Sequence, residues 1–592
     1  MNPIRFIPFL ALPFLIHAAY AEPATPSGGA SKAEQASGKD LAATWLAEVS
    51  AKASLQEAQL LRRAQATLLG NIVKCDGWKP YRGIMPSLGT YRGVWNWDSA
   101  FHAVALSHWD PAFAREQFDI LFDKQRPNGM LPDVIWENGT MVIDFTKPPV
   151  MAWAVAVVDH RSPDTDNLRK LYPKLVKLGE FWLKERGGNT DGLCFYAGTH
   201  AGNESGWDNA IRWDGGYQTS RSDDKRLWAI DLNCYMVSHY RAMAYMAGRL
   251  DLADDQKKWL AEAETLARRI NEKLWDEACG TYVDVDRQTG KPSPVLSVAC
   301  FMPLFLHIAP PDRAAKMARL GADPNKFFPG MPTAAYDTPG FSSNAMWRGP
   351  AWLNTSYFAI KGLQDYGCAD LAGQMRTTLL GWVAKDTASI REYYQPKTGQ
   401  GLAAKAFGWS AAFTISFILD WDNDNLTRCF PKAPALAAEA IAAALPPPPA
   451  IELDLPASAA TLHGNGARLD GTLIQHWDDV GTFASWRLLV AAGEAEVVVL
   501  QAAEAVSAGH AYQVEIAGQI LPGIVKDTGG WTAVQPVSLG KVKLEKAGEI
   551  EIVLRPLKKG ARASSWHHGI RHHWQTGSST IPWRSDPAGG PG

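Results

Sequence analysis

The chain has 592 residues, and this length predicts two to four domains, because single hydrophobic cores rarely extend beyond about 250–300 residues. Hydrophobic residues make up 46% and charged residues 20%, as in ordinary globular proteins, and the formal net charge is -2. Such a balance provides no field of one sign to attract nucleic acid or anionic lipid, so we expect neither partner. A neutral substrate fits this charge better.

The N-terminal residues 1–21 have the features of a signal peptide. Arg5 supplies a positive start, a mostly apolar stretch too short to span a bilayer follows, and residues 19–21 form a small-x-small cleavage site. Residues 22–40 are rich in Ala, Gly, Ser and Pro, and we expect a disordered lead-in there. Since no later stretch reaches ~18 uninterrupted apolar residues, we predict a periplasmic or secreted protein without a membrane anchor.

From about residue 41 to 430 the apolar pattern predicts mainly helices. Two clear amphipathic patterns, over residues 168–182 and 259–274, place apolar side chains at i, i+3, i+4 and i+7. Long polar, Gly-rich segments such as 185–217 and 327–350 separate the helices, and loops of this length usually carry function. Many helices joined by long loops favour a helical barrel whose loops form a cleft at one end.

The pattern changes after residue 430. Residues 431–457 are rich in Pro and Ala and predict a stiff linker. Residues 458–574 contain short Val-, Ile- and Leu-rich segments between Gly-containing turns, which predict a jelly-roll-like antiparallel β-sandwich of ~100 residues. The tail, residues 575–592, is expected to be flexible. The clearest predicted strands cover residues 484–490, 495–501, 511–516 and 549–554.

Metal ligands and disulfides receive little support from the sequence. The seven cysteines include no CxxC pair, and we expect buried free thiols with at most one or two bridges. Asp420, Asp422 and Asp424 have the first spacing of a calcium loop, but the Gly and the bidentate Glu that should follow are missing. The histidines from His567 to His573 are expected to lie in a solvated tail. We predict no metal and no cofactor.

The most informative segment is Glu204 to Asp214, which contains three carboxylates, one guanidinium and two indoles. Indole faces stack on sugar rings, and carboxylates bind hydroxyls or transfer protons. A second carboxylate lies downstream, at Glu392, before two tyrosines. Because a glycosidase needs two carboxyl groups on either side of one glycosidic bond, these segments predict a carbohydrate-active site.

Five segments in this order resemble glycoside hydrolase family 63, which includes processing α-glucosidases and mannosylglycerate hydrolases, and more distantly the trehalases. The resemblance implies an (α/α)6 barrel and an inverting mechanism, with Asp208 as general acid and Glu392 as general base. An inverting pair requires a carboxyl separation of about 6.5–9.5 Å. The matching segments are Trp95–His102, Gln125–Asp133, Glu204–Asp214, Met346–Asn354, and Glu392–Tyr394 with Phe407–Ser410.

The general acid must hold a proton near neutral pH, so it needs a raised pKa. Trp207 and Trp213 can desolvate Asp208, and Glu204 and Asp214 are candidate charged neighbours. The alternatives are a capping or ion-paired role for Asp208, a surface charge cluster for the base, packing for the indoles and a structural ion pair for the arginine at position 348. The expected substrate-binding residues are Trp95, Trp97, Asp98, Gln125, Trp207, Arg212, Trp213, Trp347, Arg348, Trp352, Asn354 and Trp409.

Together these features predict an exported inverting exo-glycosidase that hydrolyses α-linked glucosides or related hexosides in a disaccharide or oligosaccharide. A trehalase is disfavoured because the segment after Gln125 lacks the longer aromatic-acidic motif of that group. A mannosylglycerate hydrolase would need donors for the charged glycerate, and the sequence does not identify them. A polysaccharide lyase and a non-catalytic glycan-binding protein are the alternatives from other classes. Sugar, linkage and oligomeric state stay open.

Overall fold

The computed structural model describes most of the chain between residues 32 and 575. The predicted signal peptide lies outside the described residues, as does the predicted tail apart from Gln575. No helix within the described ranges is long and apolar enough to cross a bilayer. The described ranges are 32–197, 200–217, 226–444, 451–455, 457, 460–470, 473–475, 480–490, 493–530, 533–544, 548–557 and 567–575.

Helices dominate the chain up to residue 444. The two amphipathic patterns form α6 and α10, which confirms both helices. Helix α1 begins at Lys32, inside the segment expected to be disordered, because residues 32–50 are rich in the helix-favouring Ala, Glu and Lys. The helices are α1 (Lys32–Ser50), α2 (Leu55–Gly70), α3 (Asn96–Leu106), α4 (Pro111–Phe122), α5 (Met151–Arg161), α6 (Thr165–Glu185), α7 (Gly188–Asp191), α8 (Ala201–Ser205), α9 (Ile230–Arg249), α10 (Ala253–Lys273), α11 (Met302–Phe305), α12 (Pro311–Ala322), α13 (Leu353–Asp365), α14 (Ala369–Lys385), α15 (Gly408–Leu419) and α16 (Ala438–Ala444).

The helices pack in two layers. Six of them close a ring in which α3 contacts α5, α5 contacts α9, α9 contacts α11, α11 contacts α13, α13 contacts α15, and α15 contacts α3. Helices α2, α4, α6, α10 and α14 each pack against at least one member of the ring. Ring helix α3 is buried along its whole length, because neighbours cover it on every side. This helix-rich arrangement agrees with the expected class of the first domain.

Short strands that were not predicted connect the helices of the first domain. They pair as β1 with β2, β3 with β4 and β4 with β5, β6 with β9, β7 with β8, and β10 with β11. Strands of two to five residues are too short to leave a readable alternation of apolar and polar residues in the sequence. The strands are β1 (Ile72–Val73), β2 (Gly83–Ile84), β3 (Gly93–Trp95), β4 (Val134–Trp136), β5 (Met141–Val142), β6 (Leu227–Trp228), β7 (Trp275–Asp276), β8 (Thr281–Tyr282), β9 (Val285–Asp286), β10 (Arg391–Tyr394) and β11 (Gly401–Lys405).

The C-terminal strands form two antiparallel sheets. One has the order β14-β15-β22-β17-β20 with β12 also paired to β22, and the other has the order β13-β16-β21-β18-β19. Apolar side chains from both sheets form a second hydrophobic core. The four clearest predicted strands correspond to β16, β17, β18 and β21. The strands are β12 (Ile451–Leu455), β13 (Thr461–His463), β14 (Arg468–Asp470), β15 (Leu473–Gln475), β16 (Phe483–Val490), β17 (Gly493–Ala502), β18 (Ala511–Ile516), β19 (Gln519–Ile524), β20 (Gln535–Leu544), β21 (Gly548–Pro556) and β22 (His567–Gln575).

Two segments differ from their predicted state. Helix α16 and strand β12 lie within the predicted linker, and the histidine-rich segment expected as a solvated tail forms strand β22. Main-chain pairing explains both strands, because β22 adds to β12 on one side and to β17 on the other. Such pairing depends on residues more than 60 positions apart (Glu494 with Gln575, for example), which local composition does not reveal.

The described residues contain no group of three or more His, Cys, Asp or Glu side chains that could hold a metal ion. Asp420, the first residue of the weak calcium pattern, accepts a hydrogen bond of 2.6 Å from Arg161 Nη2 and lies 3.3 Å from His108 Nε2. Its carboxylate therefore has protein partners. All seven cysteines are free thiols.

Candidate active site

One cavity of about 390 Å³ brings together most of the residues predicted to act on substrate. Ring helices α3, α13 and α15 begin at this cavity, so their N-terminal ends and the loops before them form its walls. Of the predicted residues, the cavity is lined by Trp95, Trp97, Asp98, Asp208, Trp347, Trp352, Glu392 and Trp409. The remaining lining residues are Pro86, Tyr91, Lys147, Gly206, Met346 and Phe407.

Asp208 is held between two fixed neighbours. Helix α8 ends at Gly206, whose φ of 77° turns the chain towards the cavity. The indole of Trp207 stacks on Trp347 with ring centroids 5.2 Å apart and planes at 13°. On the other side, Asn209 Oδ1 accepts a hydrogen bond of 2.9 Å from the Trp347 amide. These contacts fix the backbone on both sides of the carboxylate.

The Asp208 side chain is exposed to a cavity that is partly open to solvent, yet protein atoms surround its carboxyl group on most sides. Desolvation therefore raises the pKa of Asp208, and the positive charge of Lys147 partly opposes that shift. Lys147 Nζ lies 2.9 Å from Asp133 Oδ1 and also donates to the carbonyl of Asn203 in α8. Burial raises the pKa of Asp133 to about 6 despite the adjacent Lys147.

The predicted charged neighbours of Asp208 are engaged elsewhere, which corrects that part of the sequence interpretation. Glu204 is fully buried and accepts hydrogen bonds from Arg186, at 2.8 Å from Nη2 and 3.0 Å from Nε. Asp214 accepts hydrogen bonds of 2.7 and 3.0 Å from Arg348. The raised pKa of Asp208 thus follows from desolvation rather than from either of these carboxylates.

Glu392 lies at an irregularity in the β10–β11 hairpin. The pairing register shifts between Arg391 and Tyr393, and such a bulge re-aims the intervening side chain. Each oxygen of the 3%-exposed carboxylate accepts one hydrogen bond, Oε1 from the Tyr91 hydroxyl at 2.8 Å and Oε2 from the Ala404 amide at 3.0 Å. Desolvation raises the pKa of Glu392, and these two hydrogen bonds act against the increase.

Indoles form one wall of the cavity. Trp347 and Trp352 stack with ring centroids 3.8 Å apart and planes at 6°, and Trp207 lies on the far side of Trp347. Trp409 meets both Trp352, at 5.3 Å, and Trp97, at 5.1 Å. Stacked and edge-to-face packing of this kind makes a rigid apolar surface that suits the face of a sugar ring.

Asp98 and Trp95 lie on another side of the cavity. Trp95 ends strand β3 and Asp98 is in the first turn of α3, where the helix dipole favours a carboxylate. Only 3% of Asp98 is exposed, and desolvation raises its pKa well above the ordinary range. A buried carboxyl group that lines a cavity is suited to bind hydroxyl groups of a ligand.

Arg212 and Trp213 do not reach the cavity lining, contrary to the prediction for both. Arg212 is almost completely buried and forms ion pairs with Asp231, at 2.7 Å, and Asp284, at 3.0 Å. Its guanidinium lies 5.1 Å from the Trp207 ring centroid and 4.6 Å from that of Trp213. These residues support the cavity wall from behind.

Gln125, Asn354, Trp207 and Arg348 are likewise not among the residues that line this cavity, so their predicted sugar contacts stay predictions. Gln125 Nε2 donates to the carbonyls of Gly129, at 2.9 Å, and Lys174, at 2.8 Å. Asn354 is buried near the start of α13. Main-chain carbonyls thus occupy the Gln125 amide, whereas both side-chain amide atoms of Asn354 are buried without a hydrogen-bond partner among the residues that the structure describes.

Tyr91 and Lys147 line the cavity but were missed by the sequence interpretation. Tyr91 lies four positions before the first recognised segment, and Lys147 lies between two of them. A weak signal existed for Lys147, because it is the one charged residue in the apolar stretch from Phe145 to Trp153. A lone charge in such a context often has a buried partner, which here is Asp133.

Comparisons with known proteins match the part of the chain that contains this cavity. Residues 91–410 match the family model described as the mannosylglycerate hydrolase MGH1-like glycoside hydrolase domain. The chain is 26% identical over 414 residues to the mannosylglycerate hydrolase of Rubrobacter radiotolerans, covering 57% of this chain and 92% of that protein. It is also 24% identical to a periplasmic trehalase of Salmonella choleraesuis (strain SC-B67), covering 59% of this chain and 70% of that protein.

A crystal structure of the GH63 mannosylglycerate hydrolase from Thermus thermophilus in complex with glucose has a similar fold. Its TM-score is 0.52 at 24% sequence identity, and the match covers 60% of this chain and 99% of that chain. The family match ends at residue 410, before the C-terminal strands. The likeness to known proteins therefore lies in the part of the chain that builds the cavity.

Proposed function

The chain belongs to the mannosylglycerate hydrolase MGH1-like glycoside hydrolase family, within the wider family 63, and from that membership we propose that it is an exported inverting exo-glycosidase acting on α-linked glucosides or related hexosides. The observation that carries the proposal is the presence of Asp208 and Glu392 in the lining of one cavity with five indoles. The fold we propose for the first domain is an (α/α)6 barrel, which the closed ring of six helices supports.

In the proposed reaction, Asp208 donates its proton to the glycosidic oxygen as the bond between that oxygen and the anomeric carbon breaks. A water molecule attacks the anomeric carbon from the opposite face, and Glu392 accepts the proton that this water releases. The new hydroxyl group then has the inverted configuration. Each carboxyl group afterwards returns to its starting state by exchange of one proton with solvent.

The charge states required by this mechanism have physical support. Desolvation raises the pKa of Asp208, so the carboxyl group holds a proton closer to neutral pH than an exposed Asp. Glu392 is also desolvated, but the hydrogen bonds from Tyr91 and Ala404 favour its ionised form. Both groups therefore have raised pKa values, and the hydrogen bonds that Glu392 accepts support it as the proton acceptor.

The size of the cavity favours a small substrate. The space inside it, about 390 Å³ including the solvent at its open mouth, limits the ligand to a small one. Trp95, Trp97 and Trp352 provide apolar faces, and Asp98 provides a carboxyl group for hydroxyls. We propose that one terminal hexose occupies this space, which makes the action exo.

Mannosylglycerate is a second candidate substrate. The named relative from Rubrobacter radiotolerans is a mannosylglycerate hydrolase. Trehalose is a third, on the basis of the Salmonella relative. The lyase alternative is less favoured, because Lys147 is already ion-paired with Asp133 and would have to neutralise a substrate uronate as well.

The experiment that tests the function is hydrolysis of a substrate panel followed by NMR of the first-formed product anomer. The panel contains α-linked glucose disaccharides, trehalose and α-mannosylglycerate, with the matching β-linked sugars as controls. We expect release of a terminal hexose from one α-linked substrate with inverted configuration. A retained anomer would contradict inversion, and products released from within a longer chain would contradict exo action.

We also propose export and the domain organisation. A signal peptide over residues 1–21 accounts for export, and the name of the periplasmic relative is consistent with it. The glycosidase domain then covers residues 41–430 and a jelly-roll-like accessory sandwich residues 458–574, joined by the segment 431–457. N-terminal sequencing of protein recovered from the periplasm or medium tests this, and an uncleaved leader would contradict it.

A further inference from the structure

We propose that Tyr91 is a positioning residue whose hydroxyl holds the Glu392 carboxylate in the orientation and charge state of a water-activating base. This inference rests on the proposed role of Glu392. Tyr91 lines the cavity and donates its hydroxyl hydrogen to Glu392 Oε1 at 2.8 Å. The Ala404 amide donates to the other carboxylate oxygen at 3.0 Å, so the carboxylate is held from both sides.

The phenol ring of Tyr91 has little freedom to turn away from this bond. Trp95 meets it edge-on with ring centroids 5.5 Å apart, and Phe407 meets it at 5.9 Å. Both contacts are close to perpendicular, at 86° and 77°. A donor fixed in this way loses little rotamer entropy when it binds the carboxylate.

The two donors to Glu392 lie on segments that are joined to each other by hydrogen bonds. The turn before Tyr91 is tied to strand β11, because Ser87 Oγ donates to the Lys405 carbonyl at 2.8 Å. The buried amide of Asn71 joins the same two segments by donating to the carbonyls of Pro86, at 3.2 Å, and Ala406, at 2.7 Å. The hydroxyl and the amide are therefore fixed relative to each other, not only to the carboxylate.

Three charged groups affect the Glu392 carboxylate. Asp208 and Asp98, when ionised, raise its pKa from across the cavity, and Arg391 on its own strand lowers it. Desolvation is the largest influence and raises the pKa of Glu392. The Tyr91 hydroxyl and the Ala404 amide lower the pKa by hydrogen bonding, and of these two only the hydroxyl belongs to a side chain that substitution can remove.

The test is the pH dependence of kcat/KM for Tyr91→Phe, since the acidic limb of this profile reports the free enzyme's base. Losing one hydrogen bond to a charged acceptor should move the acidic limb upward by about one to two pH units. Incorporation of 3-fluorotyrosine at position 91, which makes the phenol a stronger donor in the same shape, should move the limb downward. The matched control is Tyr81→Phe, because the Tyr81 hydroxyl donates to Asp123 Oδ2 at 2.8 Å outside the cavity.

The outcomes are distinguishable. An unmoved acidic limb in both position-91 variants would overturn the inference, even if overall activity fell. The fluorinated protein keeps this test valid if the phenylalanine variant folds poorly. Glu392→Gln distinguishes failure of the proposed function from failure of the inference about Tyr91. If that variant stays active, the proposed base is wrong. If Glu392→Gln is inactive while both Tyr91 variants keep the native limb, only the role of Tyr91 is wrong.

Discussion

The backbone of Gly206 lies directly against the indole of Trp97, so that a Cβ at position 206 would lie 2.3 Å from Trp97 Cζ2. Gly206 also has a φ of 77°, a conformation that side chains with a Cβ rarely adopt. Two residues later the chain presents Asp208 to the cavity. The close approach of backbone to indole therefore decides where the proposed proton donor lies.

We expect Gly206→Ala to lower both stability and kcat. The strained φ should cost about 1–2 kcal/mol, and the contact with Trp97 about 1–3 kcal/mol more. Gly215→Ala is the matched control, because Gly215 has a φ of 76° and a Cβ there would meet nothing within 4 Å. Denaturant unfolding and kcat of both variants measure the difference. Equal unfolding free energies of the two variants would show that the Trp97 indole moves aside without destabilising the fold.

Asp208→Asn should reduce kcat by about 100-fold to 10,000-fold, the usual contribution of a positioned general acid. Sugar binding should change little, because the amide has the shape of the acid. Asp214→Asn is the control, since Asp214 pairs with Arg348 outside the cavity lining. Turnover assays and calorimetric titration with the product sugar measure the two effects. Native turnover by the Asn variant would remove Asp208 from the proposed mechanism.

Replacing Lys147 and replacing Asp133, its ion-pair partner, should shift the alkaline limb of the pH profile in opposite directions. Activity is lost as pH rises through the pKa of Asp208, because the acid then loses its proton. Lys147 lowers that pKa, so Lys147→Met should move the alkaline limb upward by about one pH unit. Asp133→Asn leaves the ammonium uncompensated and should move the limb downward.

Lys170→Met is the control for this pair of variants. Lys170 lies 2.7 Å from Asp119 in a more exposed ion pair that does not line the cavity, so its removal should leave both limbs in place. The measurement is kcat/KM from acid to alkaline pH for all variants. Shifts in the same direction for Lys147→Met and Asp133→Asn would contradict the electrostatic explanation.

The two arginines predicted to bind substrate should behave differently when replaced. Arg212→Met would leave the buried carboxylates Asp231 and Asp284 without their cation and should cost about 3–5 kcal/mol of stability. Arg348→Met breaks a partly exposed pair with Asp214 and should cost at most about 1 kcal/mol. Thermal unfolding and KM of both variants test this. A raised KM for Arg212→Met at native stability would instead support the original prediction that Arg212 contacts the substrate.

Much of the candidate site could be predicted from the sequence, because short motifs keep their chemistry adjacent in the chain. Asp98, Asp208 and Glu392 stand next to aromatic residues in those motifs and line the cavity. Gln125 and Arg212 belong to the same set of motifs, but their side chains bind other parts of the protein and do not line the cavity. Their partners, such as the Lys174 carbonyl 49 positions away, come from segments that local reading does not connect.

The same distinction applies to the fold: elements with a local sequence pattern are predictable, and elements that depend on distant partners are not. Helices α6 and α10 have strong amphipathic patterns of their own, so their sequences predict them. Strands β12 and β22 depend on each other and on β17, and neither has a comparable local signal. The Glu392 carboxylate is positioned by a register shift between β10 and β11, a feature that only the paired strands define.

The bond between Asn209 and the Trp347 amide joins positions 138 apart in the chain, and Trp352, Glu392 and Trp409 come later still. A polypeptide that ends just after Asp208 therefore carries the proposed proton donor without the indole wall behind it. The pocket is complete only when Trp409 has been synthesised and packed. The cavity lining is thus assembled from segments spread between residues 86 and 409, and a chain truncated before Trp409 lacks part of it.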